Sequence, residues 1–245
     1  MNPLYGIRLL SLDAGNTVIF LDHPRIAAWL RAQGIHVTAR ELIDGEGTAK
    51  RLQEQGALTA IDWEGKSLPG ARGWGGMIGT MIRETGVPEE ALAGLLPKLW
   101  AEHVRKNLYS VVPEGLGPAL DAVRERGVKV VIVSNSEGML EPLFEELGIL
   151  RHFDLIADSG RLGLEKPDPR IFEYALGAFG VRADEALHLG DSIATDVEGA
   201  RRAGVRVMLG DPHGHCAGRA LDVPRVSGVV EVTQAILAAC RESHT

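Results

Sequence analysis

The sequence predicts an α/β fold built on a parallel sheet, with a helical insert after the first strand. Three observations carry that prediction. Short apolar runs alternate with helical patterns over most of the chain. Strands separated by helices of that length form βαβ units, which assemble into a parallel sheet covered on both faces. The interval from about Asp22 to Tyr109 differs, since it has helical patterns and no convincing β-branched run. Finally, three of the apolar runs stop at polar residues able to do chemistry, and the carboxyl edge of a parallel sheet is where sites form.

Taken in order, Ile7 to Leu12 reads as a buried first strand ending at Asp13. The insert follows, with helices predicted over Arg25–Gln33, Ala39–Glu54, Met77–Glu84 and Glu89–His103, punctuated by Gly34, Gly86 and Pro88. Between them Ile61 to Gly76 is rich in glycine and tryptophan and reads as a loop. Trp63 and Trp74 are expected to pack inside the insert, with Lys66 and Arg72 as the alternative anion contacts. After the insert come a helix at Gly115–Arg126, a strand at Val128–Val133, a helix at Glu137–Leu147 and a weaker strand at Leu155–Ala157. A helix at Pro169–Phe179, strands at Ala186–Leu189 and Val205–Leu209, a helix at Ala194–Ala203 and a closing helix at Glu231–Cys240 complete the pattern. The expected division is therefore a core of 1–20 and 111–245 around an insert of 21–110.

Composition narrows the function. The chain has 245 residues, 45% hydrophobic and 24% charged, with a net charge of −7. That balance suits a folded protein and argues against nucleic acid or an anionic membrane as partner. It leaves room for an anionic substrate, because a metal ion and a few placed cations dominate a small site. The two cysteines, Cys216 and Cys240, have no metal spacing, and no apolar run approaches membrane length. A cytoplasmic protein, monomer or homodimer, is expected.

The chemistry sits in four stretches. Asp13 ends the first strand, where a carboxylate can attack phosphorus and form an aspartyl-phosphate. Gly15 and Asn16 let backbone N–H groups turn toward an anion. Ser134 and Asn135 end the most apolar strand and offer a hydroxyl and a backbone N–H to phosphoryl oxygens, with the dipole of the following helix behind them. Lys166 precedes Pro167-Asp168-Pro169, a stiff frame that would hold its ammonium beside transferring charge. Asp191 and Asp196 follow another strand end. Magnesium prefers oxygen ligands and keeps several waters, so Asp191 suits direct ligation, while Asp196 would hold a bound water or orient Lys166. Taken singly, each stretch is equally an ordinary cap or turn.

In this order and spacing, the four stretches resemble the motifs of the haloacid dehalogenase-like (HAD) superfamily, in the group with a helical cap between its first and second motifs. The resemblance implies a Rossmann-like core and magnesium-dependent phosphatase chemistry on a small phosphorylated metabolite. It makes Asp13 the nucleophile and a metal ligand, Ser134 a phosphate contact and Lys166 the neutralising cation. Asp191 becomes a magnesium ligand, with Asp196 behind it. Gly15 departs from the pattern, since family phosphatases carry an acid–base Asp there. Glycine keeps the carbonyl that ligates magnesium and loses the carboxylate. The alternatives are C–P or C–halogen cleavage on the same scaffold, or a magnesium- and phosphate-binding protein with impaired catalysis. Gly190-Asp191 argues against dehalogenation, and neither Lys50 nor Lys66 stands in an apolar setting suited to a Schiff base. Asp22 and His23 are candidate substitutes for the missing acid, with a polar hinge before Pro24 as the simpler reading.

Overall fold

The computed structural model describes residues 4–59, 61–67, 71–219 and 222–242. The outermost predicted core residues, and Leu68 to Gly70 of the predicted loop, lie outside the described residues. The chain divides into two compact units, Met1–Phe20 with Val111–Thr245, and Leu21–Ser110.

The first unit is an α/β layer structure. Its strands are β1 (Leu9–Leu12), β4 (Lys129–Ser134), β5 (Leu155–Asp158), β6 (Ala186–Gly190), β7 (Arg206–Gly210) and β8 (Arg225–Val226). They form one sheet in the order β5-β4-β1-β6-β7-β8, and every pairing in it is parallel. Two further short strands, β2 (Phe20–Leu21) and β3 (Tyr109–Val111), pair with each other. The predicted strands are all present, and β2, β3 and β8 are additions. Each is only two or three residues long, too short to leave a periodic signal.

Val130 to Val133 are all 0% exposed, which explains why β4 reads as an unbroken apolar run. Both faces of the strand are covered. The helices α5 (Leu116–Arg124), α6 (Leu140–Glu146), α7 (Ser159–Leu162), α8 (Arg170–Phe179), α9 (Glu198–Arg202) and α10 (Val229–Glu242) supply that cover. One apolar layer joins Leu9, Val131, Val133 and Ala157 of the sheet to Ile171, Phe172 and Ala175 of α8. The predicted helix over Ala194–Ala203 opens instead as a π-helical turn, Ile193–Val197, before α9.

The second unit is helical: α1 (His23–Ala32), α2 (Ala39–Glu54), α3 (Ala71–Arg83) and α4 (Glu89–Arg105). Thr38 and Glu41 form a reciprocal capping box at the start of α2. The loop predicted over Ile61–Gly76 is corrected here, because α3 begins at Ala71, inside it. Gly73, Gly75 and Gly76 weaken helix propensity, and packing overrides that weakness. A Cβ on Gly75 would lie 2.3 Å from Nε1 of Trp63, and one on Gly79 would lie 2.2 Å from Cδ1 of Ile61. A Cβ on Gly45 would lie 2.4 Å from the Met81 carbonyl oxygen, so α2 and α3 meet backbone to backbone. These glycines are contact surfaces, and Trp63 is buried against them. Lys66 pairs with Asp62, and Arg72 is exposed.

Candidate active site

All four stretches fall at the carboxyl edge of the sheet in the first unit. In the parallel register Leu12 pairs with both Ile132 and Leu189, which brings the residues that follow, Asp13, Ser134 and Asp191, to adjacent strand ends. After Asp13 the chain folds into a tight turn around the Ala14 carbonyl oxygen, which accepts the N–H groups of Val18 and Ile19, each at 2.9 Å. The left-handed backbone in this turn is at Asn16, with φ 55°. Asparagine tolerates that conformation better than most residues.

Lys166 is the centre of the site. Its ammonium donates to Oδ1 of Asp13 at 2.6 Å and to Oδ1 of Asp196 at 2.5 Å. Asn135 fixes its backbone: the Lys166 N–H donates to Oδ1 of Asn135 at 2.8 Å, and Nδ2 of Asn135 donates to the Lys166 carbonyl at 2.9 Å. The side chain of Asn135 therefore clamps the lysine, a use the sequence reading did not foresee. Burial alone would push the Lys166 ammonium down, but Asp13 and Asp196 outweigh it and hold the group charged, above the ordinary lysine range.

Asp196 is 1% exposed and bonded through both oxygens. Oδ1 also accepts from Nε2 of His188 at 3.2 Å, and Oδ2 accepts from the Ser192 N–H at 2.9 Å. Burial opposes the ionised form, but Lys166 and His188 prevail and lower its pKa. Gly190 makes room for this carboxylate, since a Cβ there would lie 2.2 Å from Cγ of Asp196. Asp13 behaves oppositely. Burial pushes its pKa up to about 7 against the pull of Lys166, with Asp196 and Asp191 adding repulsion.

His188 was not anticipated. It lies on β6 in register with Ser11 of β1, and its Nδ1 is 2.9 Å from the Ser11 hydroxyl. A carboxylate only accepts, so Nε2 carries the proton toward Asp196, and Nδ1 accepts from Ser11. Complete burial holds this imidazole neutral by lowering its pKa. The signal was in the sequence: Ser11 and His188 are single polar residues inside apolar strands, and buried polar groups need partners.

One expectation at this edge is corrected. The helix predicted from Glu137 begins at Leu140, five residues beyond Asn135. The intervening loop is held by the Asp158 carboxylate, which accepts the N–H groups of Gly138 at 3.0 Å and Leu140 at 3.3 Å. A seven-residue helix starting there, facing a carboxylate, adds no dipole at Ser134. Asp22 and His23 are also engaged within the helical unit. Asp22 caps α1 through the Arg25 N–H, and His23 pairs with Glu46 at 3.0 Å.

Asp13, Asp191 and Asp196 each offer a carboxylate oxygen within 4.8 Å of the others. Three acidic oxygens beside one ammonium form an oxygen-rich, net negative pocket that suits a hard divalent cation.

At the carboxyl edge of this parallel sheet, a buried lysine bridges two buried carboxylates. The chain belongs to the haloacid dehalogenase-like hydrolase family, which it matches over residues 7–204. It is 31% identical over 207 residues to haloacid dehalogenase-like hydrolase domain-containing protein 3 of Bos taurus, covering 83% of this chain and 81% of that one. It is 36% identical over 166 residues to a phosphoserine phosphatase of Thermus thermophilus, covering 63% and 64%. A magnesium-bound HAD hydrolase of Bacillus subtilis shares the fold, with TM-score 0.62 and 18% identity over 94% of this chain and 98% of that one. No helix among the described residues is long and apolar enough to cross a membrane.

Proposed function

We propose that this hydrolase is a magnesium-dependent phosphatase acting on a small phosphomonoester through a phosphorylated Asp13. The observation that carries this reading is the position of Lys166, bonded to Asp13 on one side and Asp196 on the other. Phosphoryl transfer needs little covalent help from the protein and much charge stabilisation. A buried, permanently charged ammonium touching the attacking carboxylate supplies it. Relatives named as phosphatases, the phosphoserine phosphatase of Thermus thermophilus and a ribulose-1,5-bisphosphate 5-phosphatase of Halopiger xanaduensis, support the class.

Asp13, Asp191 and the Gly15 carbonyl would hold the magnesium, and the ion would neutralise phosphoryl charge. Asp196 already spends both oxygens on Lys166, His188 and Ser192, so its role is to aim the lysine. Asp13 attacks phosphorus in line with the ester oxygen. Ser134 and the backbone N–H groups of Gly15 and Asn135 bind the phosphoryl oxygens, and water then clears the aspartyl-phosphate. Substrate selection is assigned to the helical unit.

A panel of phosphomonoesters assayed with and without magnesium, with Asp13→Asn as control, tests this. Turnover that needs both magnesium and Asp13 is expected, and beryllium fluoride should attach to Asp13. Undiminished turnover by Asp13→Asn would show that the nucleophile lies elsewhere. A second reading, a magnesium- and phosphate-binding protein, is favoured by Gly15, which brings no carboxylate. Phosphate binding without turnover of any ester would establish it.

A further inference from the structure

Among the described groups bonded around Lys166, the phosphatase reading finds no source for one proton. An alkyl leaving group departs slowly unless its oxygen is protonated. At the carboxyl edge, Lys166 is locked between two carboxylates, Asp196 is held ionised by Lys166 and His188, and His188 is buried behind Asp196 with its Nε2 proton already donated. Gly15 has no side chain to offer.

The loop after β7, Asp211-Pro212-His213-Gly214-His215-Cys216, holds what is missing. The sheet order β1-β6-β7 makes it leave the same edge as Asp13 and Asp191. The loop is built rather than slack. Asp211 accepts the Cys216 N–H at 3.0 Å, its carbonyl accepts the Gly214 N–H at 3.2 Å, and Arg225 donates to the Cys216 carbonyl at 2.6 Å. Gly214, at φ 73°, permits the arch between the two histidines.

Two residues of the loop touch segments that border the site. Cys216 is buried with Val197, the residue after Asp196. The ring of His213 meets Phe20 edge-on, with centroids 6.1 Å apart. Phe20 follows Ile19, whose N–H bonds the Ala14 carbonyl beside Asp13. His213 therefore packs against the residue that follows the β1 turn, and its loop against the residue that follows Asp196. The ring of His215 lies 5.5 Å from that of His213.

We propose that His213 is the proton donor to the leaving group, serving where Gly15 has no carboxylate; this rests on the phosphatase reading. As Asp13 forms its bond to phosphorus, the bond from phosphorus to the ester oxygen breaks, and its electron pair takes a proton from the His213 imidazolium. The alcohol leaves. The neutral imidazole then removes a proton from water as the water oxygen attacks phosphorus. The bond to Asp13 breaks, restoring the carboxylate, inorganic phosphate and the imidazolium.

The test compares an alkyl phosphate with p-nitrophenyl phosphate, whose leaving group needs little protonation. His213→Gln should lower kcat/KM for the alkyl ester about 10²-fold and for the aryl ester only a few-fold. Added imidazole should recover alkyl turnover in His213→Ala. Equal losses on both esters, or no imidazole recovery, would overturn the inference while leaving the phosphatase reading intact. A wild-type protein that hydrolyses no phosphomonoester would overturn both.

Discussion

Lys166 and His188 meet on a single oxygen of Asp196, the lysine at 2.5 Å and the histidine at 3.2 Å. The carboxylate thereby joins strand β6 to the lysine that faces Asp13. A chain of contacts runs from Ser11 through His188 and Asp196 to Lys166 and Asp13. Each member is buried, so each depends on the next for its charge or proton.

Removing the middle of that chain should be costly. Asp196→Asn keeps the volume, takes away the charge and sets an amide against the Ser192 N–H. Breaking a buried pair by removing one partner costs about 3–5 kcal/mol, so the urea midpoint should fall sharply. Lys166→Met combined with Asp196→Asn should lose less than the two single changes summed, because no uncompensated charge remains. Strict additivity would show that the two residues do not couple.

The raised pKa of Asp13 makes metal binding sensitive to pH. Ligation requires the carboxylate, whereas burial and the neighbouring Asp196 and Asp191 favour its protonated form up to about pH 7. A proton therefore competes with the ion below that value. Magnesium affinity should fall about tenfold per pH unit below pH 7 and level off above it. Calorimetric titration between pH 5.5 and 8.5 checks this. An affinity flat across that range would show that Asp13 does not ligate the metal.

Gly15→Asp should raise turnover of esters with poor leaving groups and matter less for p-nitrophenyl phosphate. The left-handed residue of this turn is Asn16, the neighbour of Gly15. In a His213→Gln background the added carboxylate should restore alkyl-ester turnover that the single change loses. A folded Gly15→Asp protein with no gain in either background would mean that the introduced acid does not reach the leaving oxygen.

Two glycines should be intolerant for different reasons. Gly190→Ala would place a methyl against the Asp196 carboxylate, and Gly45→Ala would place one against the Met81 carbonyl oxygen. Overpacking of this kind typically costs about 1–3 kcal/mol. Gly45→Ala should lower stability by such an amount. Gly190→Ala should also depress turnover, because it displaces the group that aims Lys166. Phosphatase assays beside thermal melts separate the two. Normal turnover by Gly190→Ala would show that the position of Asp196 is not critical.

The sequence by itself determined the sheet and the order of the motifs, and it singled out the candidate site residues. Buried parallel strands must be apolar through their length, and Val130 to Val133 announce that directly. Polar residues at the ends of such strands mark the carboxyl edge, which is how Asp13, Ser134 and Asp191 were legible. Tertiary structure decided which groups they meet. The helix α3 forms through a glycine-rich stretch because Trp63 and Ile61 occupy the space its side chains would need. The helix after Asn135 starts late because Asp158, on the neighbouring strand, takes the intervening N–H groups. His188 joins the site because strand register sets it beside Ser11, a pairing between residues 177 apart in sequence. Local pattern reports what a segment can be, whereas these outcomes depend on contacts between segments that only the folded chain brings together.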